Sequence, residues 1–405
     1  MAKRILIYTN HFFPEQFKIN DIVDWLKDEN YSIKVITGIP NYPQGKFYKG
    51  YGLFSGKTTE VKDGLVIKRL LLIPRGSGSK ILLVFNYISF FISTLIYTFF
   101  LILFKKKYDI VLVHHTSPFF ISISPVIYKF FKSSKNILWD LDIWPQTLVA
   151  MKILKNKIII RVIDSFIKLI YRQYDEVLIS SNFAKEVIKN RVDPKSIHFF
   201  PNWAESKIEN PKIFSINDLE ISKETLNIMY LGNIGEAQDF PSLLKAINNL
   251  KSKNVSWYFV GTGRYKNEFQ KNIEKFNLQS VVHFIPHQKV EKVYSYAIKA
   301  DLLFLSLKNE EIFRRTVPAK IQTYMSIGKP IIAMISGETK KLINESKIGI
   351  AVDSGDYYKL VDEINKFLKG SYDYSLLSKN SSKLYNLKYR SALRKSQILN
   401  LIQSV

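Results

Sequence analysis

The chain has 405 residues, no cysteine and a formal net charge of +24. Its length exceeds one comfortable core and predicts two domains. A hydrophobic fraction of 46% excludes a disordered chain, and the missing cysteines exclude a disulfide framework or thiolate-bound zinc and fit a reducing compartment.

The lysines are dispersed and form no recognisable nucleic-acid module, so an anionic membrane surface is the expected partner and nucleic acid is not. Residues 1–9 run directly into a strand pattern, without signal-peptide organisation. Lys3–Tyr8 predicts a strand, Asn10–Phe17 a loop, 19–29 a helix and 32–37 a second strand. Pro40–Gly45 reads as an irregular loop, and alternation over 58–73 around Asp63-Gly64 predicts a hairpin.

Residues 81–104 carry no charge and end in Lys105, Lys106 and Lys107. Their length permits a membrane span. Tyr108–His114 follows at once as a core strand, however, and a crossing would separate it from residues 1–70. The segment is therefore expected to lie in one leaflet, anchored by the lysines. An ordinary buried helix and a full span are the alternatives.

A helix near 118–131 and a short strand at 136–140 follow, the latter opening into Leu141-Asp142-Ile143-Trp144-Pro145. Helix 157–173, strand 176–180, helix 183–190 and Phe199–Trp203 complete the first half, and 204–224 reads as a linker. A second series begins at Leu226–Leu231 and alternates through 330–335. Its last helices, 375–405, are expected to pack back on the first half. This alternation predicts an α/β architecture of two Rossmann-like doubly wound domains, 1–203 and 225–374, facing a central cleft.

Val317–Pro330 is the most informative stretch. A helix begins near Pro318 and is ended by Gly328 and Pro330. Proline in the first turn removes no needed N–H, so the amides there and Lys320 can face a diphosphate without a metal. Leu231–Gln238, with Gly232, Asn233 and Gly235, and Val260–Arg264, with Gly261 and Gly263, also lie at strand ends. Each alone reads equally well as a tight turn. Their recurrence points to one site. Arg264 and Arg315 are further candidates for the diphosphate, with solvated surface positions as the alternative.

In the first half, Asp142 ends a strand, where its carboxylate can accept a hydroxyl proton or else cap the Trp-Pro turn. Asp140 is expected on the opposite face of its strand, and His115 rather than His114 toward the cleft. Glu15, Lys18 and Asn20 are candidates to touch the acceptor or the diphosphate, with a solvated loop and helix start as the alternative. Asp140-Leu-Asp142 has the spelling of a metal-binding pair but lies away from the diphosphate motif, so no metal or other cofactor is expected.

Tyr230–Gln238, Phe259–Gly263 and Val317–Pro330 together resemble the retaining glycosyltransferases of family 4, which have the GT-B fold. Leu6–Glu15, Thr37–Gly45 and Asp142–Pro145 are similar to the bacterial N-acetyl-fucosaminyltransferase-like members that build O-antigens and capsules. The resemblance covers nearly the whole chain. It implies a UDP-sugar co-substrate, with Gly232, Asn233 and Gly235 against the base or diphosphate, Gly261 and Gly263 shaping the base pocket and Asp142 orienting the sugar. It also implies front-face transfer of an N-acetylated hexosamine, such as N-acetyl-fucosamine, to a polyprenyl-diphosphate-linked saccharide at the cytoplasmic face of the membrane. One departure stands out. Family members often carry two glutamates eight positions apart, and here those positions hold Arg315 and Thr323, leaving the ribose to Thr323 or Gln322. A nucleotide-sugar epimerase and a non-catalytic sugar-lipid-binding protein are the alternatives, and an epimerase gives no reason for residues 81–104.

Overall fold

The computed structural model describes residues 3–54, 58–76, 80–216, 219 and 221–404. They form two compact units, 1–200 with 395–405, and 201–394.

The first unit contains β1 (Arg4–Thr9), β2 (Ser32–Gly38), β3 (Thr59–Lys62), β4 (Leu65–Leu70), β5 (Ile110–His115), β6 (Lys135–Asp140), β7 (Glu176–Ile179) and β8 (Ile197–Phe199). Their order is β3-β4-β2-β1-β5-β6-β7-β8. The β3–β4 pair is antiparallel. Asp63 and Gly64 supply its turn with φ of 47° and 78°, the positive values a two-residue hairpin requires. β1 lies between β2 and β5, each parallel to it. Strand order reverses there, and the loops after β1 and β5 open at that switch point.

Helix Lys80–Leu103 connects β4 to β5, and both strands belong to the same hydrogen-bonded sheet. The helix therefore returns the chain to the sheet it left. Phe90 and Leu101 turn into the core, but Ile81, Val84, Phe85, Ile92, Ile96, Phe99 and Leu103 are exposed. An ordinary buried helix is thus excluded. The expected helix near 118–131 is a 3-10 turn, Phe119–Ser122, followed by helix Ile123–Lys132.

The second unit contains β9 (Leu226–Leu231), β10 (Val255–Val260), β11 (Val282–Ile285), β12 (Leu302–Ser306), β13 (Ile331–Met334) and β14 (Gly349–Val352), in the order β11-β10-β9-β12-β13-β14. The pairs are parallel. Every residue of β9, β10, β12 and β13 is buried, as in sheets covered on both faces. β9, between β10 and β12, is this sheet's switch point.

The stretch read as a linker is part of this unit. Helix Ser206–Glu209 lies in it, and Ala204, Ile208 and Leu219 are buried in the core. Glu209 accepts from Ser391 N at 2.7 Å and from the Tyr385 hydroxyl. Helix Tyr374–Lys388 also stays here, against helix Ala319–Ile327. The final residues lie with the first unit, where Lys3 Nζ donates to Ile402 O at 2.9 Å and Gln397 Nε2 to Phe199 O at 3.1 Å.

Candidate functional site

In the second unit the site assembles at the carboxyl end of β9. Helix Ala319–Ile327 follows Pro318 and closes at Gly328, whose N–H donates to Tyr324 O and Met325 O and whose left-handed φ of 77° turns the chain out of the helix. Ile321 N bonds Pro318 O at 3.0 Å. The amides of Ala319 and Lys320 have no acceptor within the helix. Tyr324 fixes the helix in place. Its hydroxyl donates to Phe304 O at 2.9 Å and accepts from Leu231 N at 3.1 Å, joining the helix to the ends of β12 and β9.

That anchoring lays Lys320 across the loop after β9. Its Nζ stands 3.8 Å from the Tyr230 ring centroid and donates to the Tyr230 hydroxyl, which in turn donates to Asn233 O. A Cβ at Gly232 would lie 3.1 Å from Lys320 Cε, and Gly232 has φ 111°. Lys320 forms no carboxylate pair among the described residues. Burial pushes its ammonium down to about 7. Burial, with Tyr324 nearby, keeps the Tyr230 hydroxyl well above its ordinary value, and hence protonated. A partly buried cation against an aromatic ring, at the start of a helix whose first two amides have no acceptor within the helix, is a site for an anion.

The other glycines have a closer explanation than a ligand. Gly232 N donates to Val260 O (2.9 Å), Ile234 N to Thr262 O (2.9 Å) and Tyr265 N to Ile234 O (3.1 Å), binding the loops after β9 and β10 together. A Cβ on Gly261 would fall 2.1 Å from Gly232 O, and one on Gly263 2.1 Å from Ile234 O. Gly235 is buried, with its N–H on Gln238 Oε1 at 2.9 Å, whereas Asn233 is exposed.

The expected cations divide. Arg264 is exposed on the loop after β10. Arg315 pairs with Glu311, one turn away. Thr323 is half-buried on the same helix as Lys320. Gln322 is buried, and with its amide nitrogen facing inward it donates to Pro318 O and Ala319 O, each at 3.0 Å. Gln322 is thereby committed to its own helix. A separate cavity of about 430 Å³ beside β14, lined by Asn344, Ile350, Tyr372 and Asp373, contains none of these residues.

In the first unit the expected orientation of His115 and Asp140 is corrected. The β5–β6 register sets the two residues opposite each other, so both point to one face. Both are fully buried, with His115 Nδ1 2.7 Å from Asp140 Oδ1, and the Tyr171 hydroxyl donates to Asp140 Oδ2. Burial opposes ionisation of Asp140, but His115, the Tyr171 hydroxyl and the Asp142 amide outweigh it and hold the carboxyl below its usual range. His114 is buried too, its Nδ1 2.8 Å from Thr9 Oγ1. Burial and the neighbouring histidines push it down to about 3, so it stays neutral.

Glu15 and Asn20 organise loops. Glu15 accepts from Asn41 N at 2.8 Å and Tyr42 N at 2.6 Å and meets His11 Nδ1 at 2.8 Å. Asn20 Nδ2 donates to Glu15 O at 2.8 Å. Lys18 lies 3.5 Å from Asp21. Asp142 is half-buried and accepts from the Ser117 hydroxyl and from Thr147 Oγ1 at 2.6 Å, while Trp144 Nε1 donates to Ser117 Oγ at 2.8 Å. Sequence reasoning missed Arg75 beside this loop cluster. Its guanidinium stands 5.0 Å from the Tyr42 ring and bonds the Tyr87 hydroxyl. Burial raises the Tyr87 hydroxyl and Arg75 partly offsets that rise, while Asp142 also acts on it. The signal in the sequence was one arginine shortly before the uncharged run 81–104.

Comparison with known proteins fits this geometry. Residues 212–384, within the second unit, match the family model described as Glycosyl transferases group 1. A curated relative, "Probable glycosyltransferase WbjE" from Pseudomonas aeruginosa, is 26% identical over 270 residues, or 64% of this chain and 66% of the relative, just under two thirds of its length. The "Putative colanic acid biosynthesis glycosyl transferase WcaI" of Escherichia coli (strain K12) is 21% identical over 339 residues, 80% of this chain and 81% of the relative. Among solved structures, Anabaena Alr3699/HepE in complex with UDP superposes with a TM-score of 0.68 at 13% identity, covering 100% of both chains. The structural likeness establishes the GT-B fold, and the group 1 match supports a glycosyltransferase.

Proposed function

We propose that the chain is a UDP-sugar-dependent, retaining glycosyltransferase that extends a lipid-linked saccharide at the cytoplasmic face of the membrane, in surface-polysaccharide synthesis. One observation carries this reading. Lys320, without a carboxylate partner among the described residues, sits at the start of helix Ala319–Ile327 against Gly232, inside the segment that matches the group 1 model. The diphosphate of UDP is the anion that such a cation, with the first amides of its helix, would hold. The UDP complex of HepE supports a uridine nucleotide, and the colanic acid relative supports a polysaccharide product.

Charge growing on the leaving UDP would be met by Lys320 and the amides of Ala319 and Lys320, without a metal. In front-face transfer the bond from the sugar's C1 to UDP breaks, the acceptor oxygen bonds C1 on the same face, and the acceptor proton passes to the departing diphosphate. An N-acetylated hexosamine is the donor sugar to which the family resemblance points. In the first unit, Asp142 and its hydroxyl partners would orient the acceptor saccharide. Arg75 would meet the acceptor's diphosphate, at the foot of the exposed apolar helix that would lie in the leaflet.

The test is UDP release with and without a lipid-linked acceptor. Release that requires the acceptor and survives a chelator is expected. Interconversion of free UDP-sugars without an acceptor would instead mark an epimerase, and neither reaction a binding protein.

A further inference from the structure

The apolar helix Lys80–Leu103 is not alone. Helix Lys157–Tyr171 turns Ile167 and Tyr171 into the core, yet Ile158, Val162, Phe166 and Leu169 are exposed, at 71%, 64%, 46% and 57%. Their spacing of four, four and three residues places them on one outward stripe. Beside a polar edge of Lys157, Arg161, Asp164 and Lys168, the apolar arc of the helix thus runs from the core round to solvent, wider than a helix bordering only water has reason to be. At the end of helix Ile123–Lys132, Phe130 and Phe131 are exposed as well.

These helices cover one face of the sheet. Phe90 and Leu101, Tyr128, and Ile167 and Tyr171, drawn from the three in turn, enter the same core cluster. The first two helices pack directly, and Phe119, leading into the second, stacks on Tyr171 of the third at 5.6 Å. Their outward residues therefore share one surface of the unit.

The charge around that surface is predominantly positive. Residues 80–107, 119–135 and 146–172 hold thirteen Lys or Arg (four, three and six) and one acid, Asp164. Asp164 is held 2.7 Å from Arg191. Lys105, Lys106 and Lys107 follow the first helix, and Lys152, Lys155, Lys157 and Arg161 surround the start of the third, all exposed. A protein partner would have to be both apolar and acidic over this area. An anionic lipid leaflet is both by nature.

We propose that the first unit seats on anionic lipid through all three helices, with the stripe of helix Lys157–Tyr171 buried alongside helix Lys80–Leu103. This rests on the membrane association proposed above and enlarges it from one helix to a plane that fixes the unit's orientation on the leaflet.

The chain lacks cysteine, so single labels are clean. Phe166→Cys, Phe99→Cys and, in the second unit, Lys359→Cys would each carry a polarity-sensitive fluorophore. Each would be mixed with phosphatidylcholine vesicles, with or without phosphatidylglycerol. The labels at 166 and 99 are expected to shift to the blue on phosphatidylglycerol-containing vesicles, and the label at 359 to stay unchanged. In sedimentation with the same vesicles, Val162→Asp/Phe166→Asp is expected to lower partitioning about tenfold. A label at 166 that stays in water while that at 99 shifts would overturn the three-helix plane but leave membrane association standing. So would a shift at 166 that follows protein concentration without lipid, which would mark a contact between copies. No shift at either position would remove membrane association itself.

Discussion

Lys320 Nζ stands 3.8 Å from the centroid of the Tyr230 ring and donates to the hydroxyl of the same residue. An aromatic neighbour positions the cation without neutralising it. A carboxylate in that place would satisfy Lys320 and close the site to anions.

Lys320→Ala is expected to weaken UDP binding between about tenfold and a hundredfold, the range for one charged hydrogen bond. Lys320→Arg should recover little, because a planar fork on a longer stem replaces a compact ammonium set against Gly232 and the Tyr230 ring. Titration calorimetry with UDP measures both. An alanine variant that binds as the native chain does would remove Lys320 from the diphosphate site.

The same lysine makes binding depend on pH. Its ammonium is pushed down to about 7 by burial, and a bound diphosphate raises it again. Binding UDP therefore takes up a proton where the free protein has lost one. Affinity should be fully present below pH 7 and fall as pH rises above it, until the bound state also deprotonates. UDP dissociation constants from pH 7 upward measure this, and Lys320→Ala should flatten the profile.

Gly261→Ala separates architecture from ligand contact. The added Cβ would meet Gly232 O at 2.1 Å, and the φ of 149° is itself unfavourable for alanine. Loss of more than about 2 kcal/mol is expected, since backbone oxygen cannot swing aside. Thermal unfolding is the readout. A variant with native stability and weakened UDP binding would instead place Gly261 against the nucleotide.

Arg75→Ala addresses the acceptor. It is expected to lower turnover with a lipid-linked acceptor by at least about tenfold while leaving the UDP dissociation constant unchanged. Equal losses in both would make Arg75 a structural residue of its loop. Arg75→Lys should recover only part of the turnover, because a point charge replaces a fork.

Strands of the second unit were legible because parallel strands covered on both faces are short continuous apolar runs, and the expected strand Leu226–Leu231 coincides with β9. The hairpin at Asp63-Gly64 and the stop at Gly328 followed from local backbone chemistry alone. Residues 204–224 were opaque because their contribution to the core comes from single side chains, Ala204, Ile208 and Leu219, without a period. The His115–Asp140 pair was misread because strand register is a tertiary fact, and one residue of offset reverses the face. Gly261 and Gly263 were visible as glycines, but the neighbouring loop that requires them was not. The outward stripe of helix Lys157–Tyr171 was hidden because an apolar helix is ordinarily read as core.

The most direct measurement is a crystal structure of the chain with UDP. It should show the diphosphate oxygens within hydrogen-bonding distance of Lys320 Nζ and the Ala319 and Lys320 amides, beside Gly232. UDP bound at another place in the second unit, with Lys320 still resting on Tyr230 alone, would contradict the account.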